Sequence, residues 1–241
     1  GEMLRPSGAL VHAMFVGWGV AFLQQANGSE GVVYFTPTVL KMTGISNDDV
    51  LFACTSAVGA CKACFVAVAL LTMDRLGRVP LLVTSSLGCV AALVALGSAT
   101  TLPHTAPWVP VAALCLFMTS MSLGWGPLTG VLLPEVFPLR VRGVAVGIGW
   151  ALNRFASGTV ALAFVFMKDN LGVGNTFFVY LVGALLGLWF SWLVVPETKG
   201  ATLESITHLF ERRGKLGVRG IFLREHNVDD ANPLSDIANG E

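Results

Sequence analysis

Charge is what this chain has least of. Lysine and arginine number 15, aspartate and glutamate 15, and together they make up only 12% of 241 residues. Soluble domains average about 25% charged, so a soluble domain is excluded and an integral membrane protein is expected. The two signs cancel to a net charge of zero, which argues against a nucleic-acid partner. Histidine is sparse as well. His12, His104, His208 and His226 are scattered, no nucleophile–base pair accompanies them, and no enzyme is expected. The cysteines Cys54, Cys61, Cys64, Cys89 and Cys115 all lie in apolar runs. Cys61 and Cys64 spell a C-x-x-C, but no second pair follows and no βαβ pattern surrounds it. They read as small packing residues, with no metal site and no cofactor. Residues 1–9 contain no apolar h-region, so no signal peptide is expected there.

What is abundant is apolar. Hydrophobic residues make up 54% and mean hydropathy is +0.70. A membrane-spanning helix needs about 20 consecutive, mainly apolar residues. Six runs qualify: 9–40, 50–73, 79–99, 108–133, 143–167 and 176–195. The spacing predicts an all-α membrane protein with six transmembrane helices within residues 1–200. Asn47, Asp48 and Asp49 offer an N-cap before the second run. The sixth run holds no charged residue over 177–195 and is expected on the lipid-facing periphery. Leu203, Ile206, Leu209 and Phe210 recur at helical spacing, so 201–214 reads as a short amphipathic surface helix. Residues 215–241 read as a mobile tail.

Basic residues in short loops set orientation. One set of connections carries Arg75, Arg78, Arg140, Arg142, Lys199, Arg212 and Arg213; the other carries only Lys168. The basic set is expected to be cytosolic, and six spans put both ends on that side.

Polar residues inside the apolar runs mark the functional candidates. Residues 22–35 read FLQQANGSEGVVYF, placing Gln24, Gln25, Asn27 and Glu30 beside Gly28 and Gly31. Polar groups at membrane depth face a partner or a water-filled cavity, and a glycine-broken helix is tolerated where it lines one. The stretch is expected to be a broken helix lining a substrate path; the alternative is a polar kink that merely joins helices. Lys62 lies 12 positions before Asp74, and Arg154 lies 12 after Arg142. Each is therefore about 18 Å inside the membrane, close to the depth of Gln24 and Gln25. Glu30 is expected within reach of Lys62. In the fourth run, Gly124-Trp125-Gly126-Pro127 predicts a bend near Pro127, where a ring replaces a helical hydrogen bond. It is either a gating helix or a passive kink.

Four motifs carry a family resemblance. Asp74-Arg75-Leu76-Gly77-Arg78 resembles the D/E-R-x-G-R loop of the major facilitator superfamily. The run from Pro134 and Glu135 through Pro138 to Arg142 resembles the P-E-x-x-P-x-x-x-R loop of its sugar porters. Pro196-Glu197-Thr198-Lys199-Gly200 matches their P-E-T-K-G, and Gln24-Gln25 with Gly28, Tyr34 and Phe35 resembles their seventh helix. The resemblance covers about residues 9–210 and corresponds to helices seven to twelve, half of a twelve-helix fold. Plant polyol transporters look nearest, with an acidic residue matched by Glu30, a lysine by Lys62, and an Asn-Arg by Asn153 and Arg154.

The resemblance implies the C-terminal half of a carrier. It would move a polyol or monosaccharide by alternating access, coupled to protons, with membrane lipid and an N-terminal six-helix half as partners. The implied substrate site is Gln24, Gln25, Glu30, Lys62, Trp150, Asn153 and Arg154. Trp150 stands in for a tryptophan that many sugar porters carry where this chain has Gly130. Asp74, Arg75, Arg78, Glu135, Arg140, Arg142 and Glu197 are the expected cytosolic gate, because arginine–carboxylate pairs are directional; the alternative is a solvated loop with weak pairs. The plasma membrane, rather than the vacuolar membrane, is the expected location. Rival readings are a non-transporting sugar sensor, an inactive truncated fragment, and a channel or structural membrane protein.

Overall fold

Two of the six spans are not single helices. The computed structural model describes residues 8–42, 47–102, 106, 108–200, 206 and 210. Six helical stretches are long and apolar enough to cross a membrane, and the described residues include no strand. The protein is an all-α membrane protein, as the apolar runs predict. The helix ends differ from the predicted ones by a few residues, the usual scatter at frayed termini.

The first span is α1 (Gly8–Ala26) followed by α2 (Ser29–Met42). They part at Gly28, whose φ of +83° lies in the left-handed region. The Asn27 side chain then starts α2 by accepting the Ser29 N–H at 3.2 Å. The expected break is therefore where the glycine puts it. It is also braced from outside: a Cβ on Gly28 would overlap the Tyr180 ring, and a Cβ on Gly183 would overlap the Ala26 carbonyl.

The second span, α3 (Asp48–Leu76), is capped as expected, with Asn47 Oδ1 accepting the Asp49 N–H at 2.9 Å. Gly77, at φ +94°, turns the chain directly into α4 (Arg78–Thr101). The fourth span is α5 (Trp108–Leu123) and α6 (Trp125–Val136), broken near Pro127 as expected. The break falls at Gly124, with φ −131° and ψ −82°, one turn before the proline. Pro127 sits in the first turn of α6, where its missing N–H has no intrahelical partner to lose. Gly124 also permits close approach, because a Cβ there would press on Ser85 and the Leu81 carbonyl of α4.

The last two spans are α7 (Arg142–Leu171) and α8 (Val173–Leu193). The expectation of a lipid-facing α8 holds for one face only. Leu185, Leu186, Trp189 and Trp192 are exposed, but Phe177, Tyr180, Ala184 and Phe190 are buried. That buried face lies on α4 and α1. Absence of charge fits either environment, so it could not distinguish them. Elsewhere small residues let helices approach, as in other membrane bundles. Gly88 of α4 meets Ser120 of α5, and the Ser85 hydroxyl donates to the Ser120 carbonyl at 2.6 Å. The Trp125 indole, 1% exposed, donates to Ser86 Oγ at 2.9 Å and ties α6 to α4.

The expected surface helix 201–214 and tail 215–241 lie outside the described residues, apart from Ile206 and Phe210. Those two are helical and buried in the core.

Candidate functional site

The two helix breaks face each other across one polar network. Gln24, near the end of α1, donates to the Trp125 carbonyl at 3.0 Å, one residue past the Gly124 break. Gln25 accepts from the Ser29 hydroxyl at 2.8 Å, across the Gly28 break. Asn153 of α7, fully buried, joins the two amides. Its Nδ2 donates to Gln24 Oε1 at 2.7 Å and to the Ala21 carbonyl at 2.6 Å. Its Oδ1 accepts from Gln25 Nε2 at 3.2 Å. Buried amides are stable only when their donors and acceptors are met, and here they meet one another.

The network forms the floor of a cavity of about 200 Å³. Gln24, Gln25, Ser29 and Glu30 line it from the broken first span, and Lys62 and Val66 from α3. Met118, Met121 and Ser122 line it from α5, Gly126 from α6 and Arg154 from α7. Five of the seven predicted substrate residues therefore reach one cavity: Gln24, Gln25, Glu30, Lys62 and Arg154. Asn153 sits behind them as the link. Trp150 does not line the cavity; it is 38% exposed and faces Gly130 at 3.9 Å from a Cβ built there.

The charges pair differently from the prediction. Arg154 lies 3.9 Å from Glu30, and its guanidinium also donates to Asn153 Oδ1 at 2.6 and 3.1 Å. Lys62 forms no ion pair or hydrogen bond among the described residues. Glu30 in the first turn of α2 is also favoured by the positive end of that helix. Ser29 and Ser122 were missed in the sequence. Ser29 could have been found from its place after Asn27-Gly28. Ser122 is an ordinary serine in an apolar run and gave no signal.

A second cluster forms at one end of the bundle. The Glu197 carboxylate accepts the N–H groups of Arg78 at 2.9 Å and Val79 at 3.0 Å, capping α4 from a distant part of the chain. It also accepts the Lys199 N–H at 3.0 Å. A carboxylate suits a helix N-terminus because bare amides and the helix dipole converge there. Arg78, 9% exposed, pairs with Glu135 at 3.0 Å and with Asp74 at 3.2 Å. Thr198 donates to the other Glu135 oxygen at 2.6 Å, and Lys199 Nζ to the Arg75 carbonyl at 2.7 Å. Arg142 donates to the Phe137 carbonyl at 3.1 Å. Asp74, Arg78, Glu135 and Glu197 thus meet in one cluster, whereas Arg75 joins through its carbonyl. Arg140 is exposed at the same end, beside Leu139.

Comparison with known proteins gives the same pattern throughout. The family model for "Sugar (and other) transporter" matches residues 2–210. Polyol transporter 5 of Arabidopsis thaliana is 36% identical over 215 residues, which are 86% of this chain and 40% of the relative. D-xylose-proton symporter-like 2 of the same plant is 35% identical over 206 residues, 86% of this chain and 41% of the relative. The solved structure of the proton:xylose symporter XylE bound to 6-bromo-6-deoxy-D-glucose is similar at TM-score 0.74 and 28% identity. The match covers 86% of this chain and 44% of that one. The inward open xylose transporter XylE from E. coli is similar at TM-score 0.71 and 31% identity, over 83% of this chain and 42% of that one. The chain spans less than half the length of the relatives it matches.

Proposed function

This chain belongs to the Sugar (and other) transporter family, and on that premise we propose that it is the C-terminal half of a polyol or monosaccharide carrier. It is an integral multi-pass membrane protein, and the family is one of transporters, not enzymes. In our reading the carrier works by alternating access, is coupled to protons, and resides in the plasma membrane with both ends of this half in the cytosol. The missing partner is an N-terminal six-helix half, which supplies the opposite wall of the site.

The observation that carries this reading is the cavity between two broken helices. Secondary transporters place substrate at such discontinuities near the membrane midplane, between halves that rock. Sugar hydroxyls both donate and accept, and so do the side-chain amides of Gln24 and Gln25. Gly28 and Gly124 break the two helices next to these amides, so movement at either break reshapes the site. The relatives named for polyol and D-xylose-proton transport support the substrate class and the coupling ion. At the other end, Asp74, Arg78, Glu135 and Glu197, with Arg75, Arg140 and Arg142, act as the cytosolic gate. Their basic residues support the cytosolic placement. The pairs Arg78–Glu135 and Thr198–Glu135 and the Glu197 cap tie loops of this half to one another.

The test is uptake of labelled polyols and hexoses by vesicles containing this half joined to a matching N-terminal half. Saturable uptake that rises with an inward proton gradient is expected. Passive flux unaffected by unlabelled solute would overturn the proposal.

A further inference from the structure

Three thiols meet on the seam between α3 and α5. Cys54 and Cys61 are seven positions apart, two turns of α3, so they share one face. Leu51 and Val58 lie on that face and are buried, which turns it into the bundle. Across the seam, the Cys115 thiol of α5 lies within hydrogen-bonding reach of Cys61, with Cys54 nearby. Within this half, α3 leans on α5 more than on any other helix. All three cysteines are free and half-buried, whereas Cys64 is exposed. The neighbour of Cys61 that matters is therefore Cys115, not the second cysteine of its own C-x-x-C. Both partners belong to this half, so their closeness does not depend on what packs opposite.

We propose that Cys61 and Cys115 are an oxidisable pair whose disulfide ties the second span to the fourth and slows the carrier. The effect on flux rests on the reading of this half as part of a carrier; the bond itself does not. Thiols this close reach bonding distance by side-chain rotation and a small helix shift. The oxidant is hydrogen peroxide, a small neutral molecule that crosses lipid. One sulfur attacks a peroxide oxygen, the O–O bond breaks, and the thiol proton leaves in a first water. The second sulfur then attacks the sulfenic sulfur, the S–O bond breaks, and its proton leaves in a second water. Two electrons pass from the two thiols to one peroxide. The tie lies beside the cavity wall. Lys62 follows Cys61, and Met118 and Ser122 lie three and seven positions after Cys115 on the same face of α5; all three line the cavity. Because α5 ends at the Gly124 break, fastening it to α3 fixes one arm of that break.

The experiment uses the full-length carrier containing this half, in vesicles, oxidised with hydrogen peroxide and digested without reductant. Mass spectrometry is expected to find the peptides of Cys61 and Cys115 joined, and dithiothreitol to part them. Uptake of a labelled polyol or hexose should fall severalfold on oxidation and recover with dithiothreitol. Cys61→Ser and Cys115→Ser should each abolish the link and the fall, and Cys64→Ser should keep both. Free thiols at 61 and 115 after peroxide would overturn the inference, whether or not uptake is seen. So would a bond from Cys61 to Cys64, or from Cys115 to Cys54, in place of this one. A link that leaves uptake unchanged would overturn the effect on flux. Absence of any uptake before oxidation would overturn the carrier reading, while the joined peptides would still establish the pair.

Discussion

Asn153 is the residue on which the site turns. One buried amide holds both glutamines, the Ala21 carbonyl and Arg154. Removing a partner leaves buried groups unmet, which costs about 1–3 kcal/mol. Gln25→Ala removes the amide between Asn153 Oδ1, which then keeps only Arg154, and the Ser29 hydroxyl, which keeps only the Gln24 carbonyl at 3.4 Å. In the intact carrier it should weaken substrate binding by about 1–3 kcal/mol, measured as the Kd of a competing sugar in a well-expressed variant. Gly28→Ala should be worse for stability than for binding. It forces a side chain into the left-handed region and into the Tyr180 ring. Strain alone is about 1–3 kcal/mol, so a clear drop in the thermal midpoint in detergent is expected. Helix rise converts position into height, so the sequence could bring Gln24, Gln25, Lys62 and Arg154 together, and they line one cavity. The sequence did not make the pairing legible. Height says nothing of rotation about the helix axis, and rotation turns Glu30 toward Arg154 and leaves Lys62 alone.

At the scale of elements, the two breaks have different origins. The first was legible because Gly28 needs a positive φ and Asn27 starts the next helix. The second was legible from Gly124-Trp125-Gly126-Pro127, and the structure puts the break at its first glycine, with Pro127 in the first turn of α6. A substitution separates the two causes. Pro127→Ala should keep the bend, because Gly124 and its contact with α4 set it. Gly124→Ala should disturb it, because the added methyl meets Ser85 and the Leu81 carbonyl. Distances between spin labels on α5 and α6 report the bend directly, and straightening in Pro127→Ala would return the cause to proline. The capping of α4 by Glu197 was legible only as a motif. Its partner amides lie in a different connection, and no local pattern links them. Glu197→Gln keeps the shape and removes the charge. It should weaken the α4 N-terminus by about 1 kcal/mol, seen as faster hydrogen exchange at the Arg78 and Val79 amides.

The whole molecule presents more polar wall than it can cover. Gln24, Gln25, Glu30, Lys62 and Arg154 open on one cavity, and charges facing hydrocarbon cost at least about 2.5–3.5 kcal/mol each on insertion scales. Residues 1–241 alone, reconstituted as a monomer, should show no saturable transport, and joining them to a matching N-terminal half should restore it. Substrate-competable uptake by the isolated monomer would contradict the two-half mechanism. The six-span fold itself was the most legible feature. Apolar length is a property of each run by itself, whereas burial, as α8 shows, depends on what packs beside it.

The cap on α4 also sets an order of events during synthesis. Arg78 is made 119 positions before the carboxylate that receives its N–H. At about 5–20 residues per second, the ribosome needs on the order of 6–24 s to cover that gap. Throughout that interval the third span stands in the membrane with its first amides held only by water. Asp74 precedes Arg78 and pairs with its guanidinium from the start; Glu135, 57 positions after Arg78, adds a second carboxylate before the amides are satisfied. The bundle is therefore fastened at this end in two stages, the side chain first and the backbone last. A chain released before Pro196 would hold all six spans yet leave the first amides of α4 without their carboxylate.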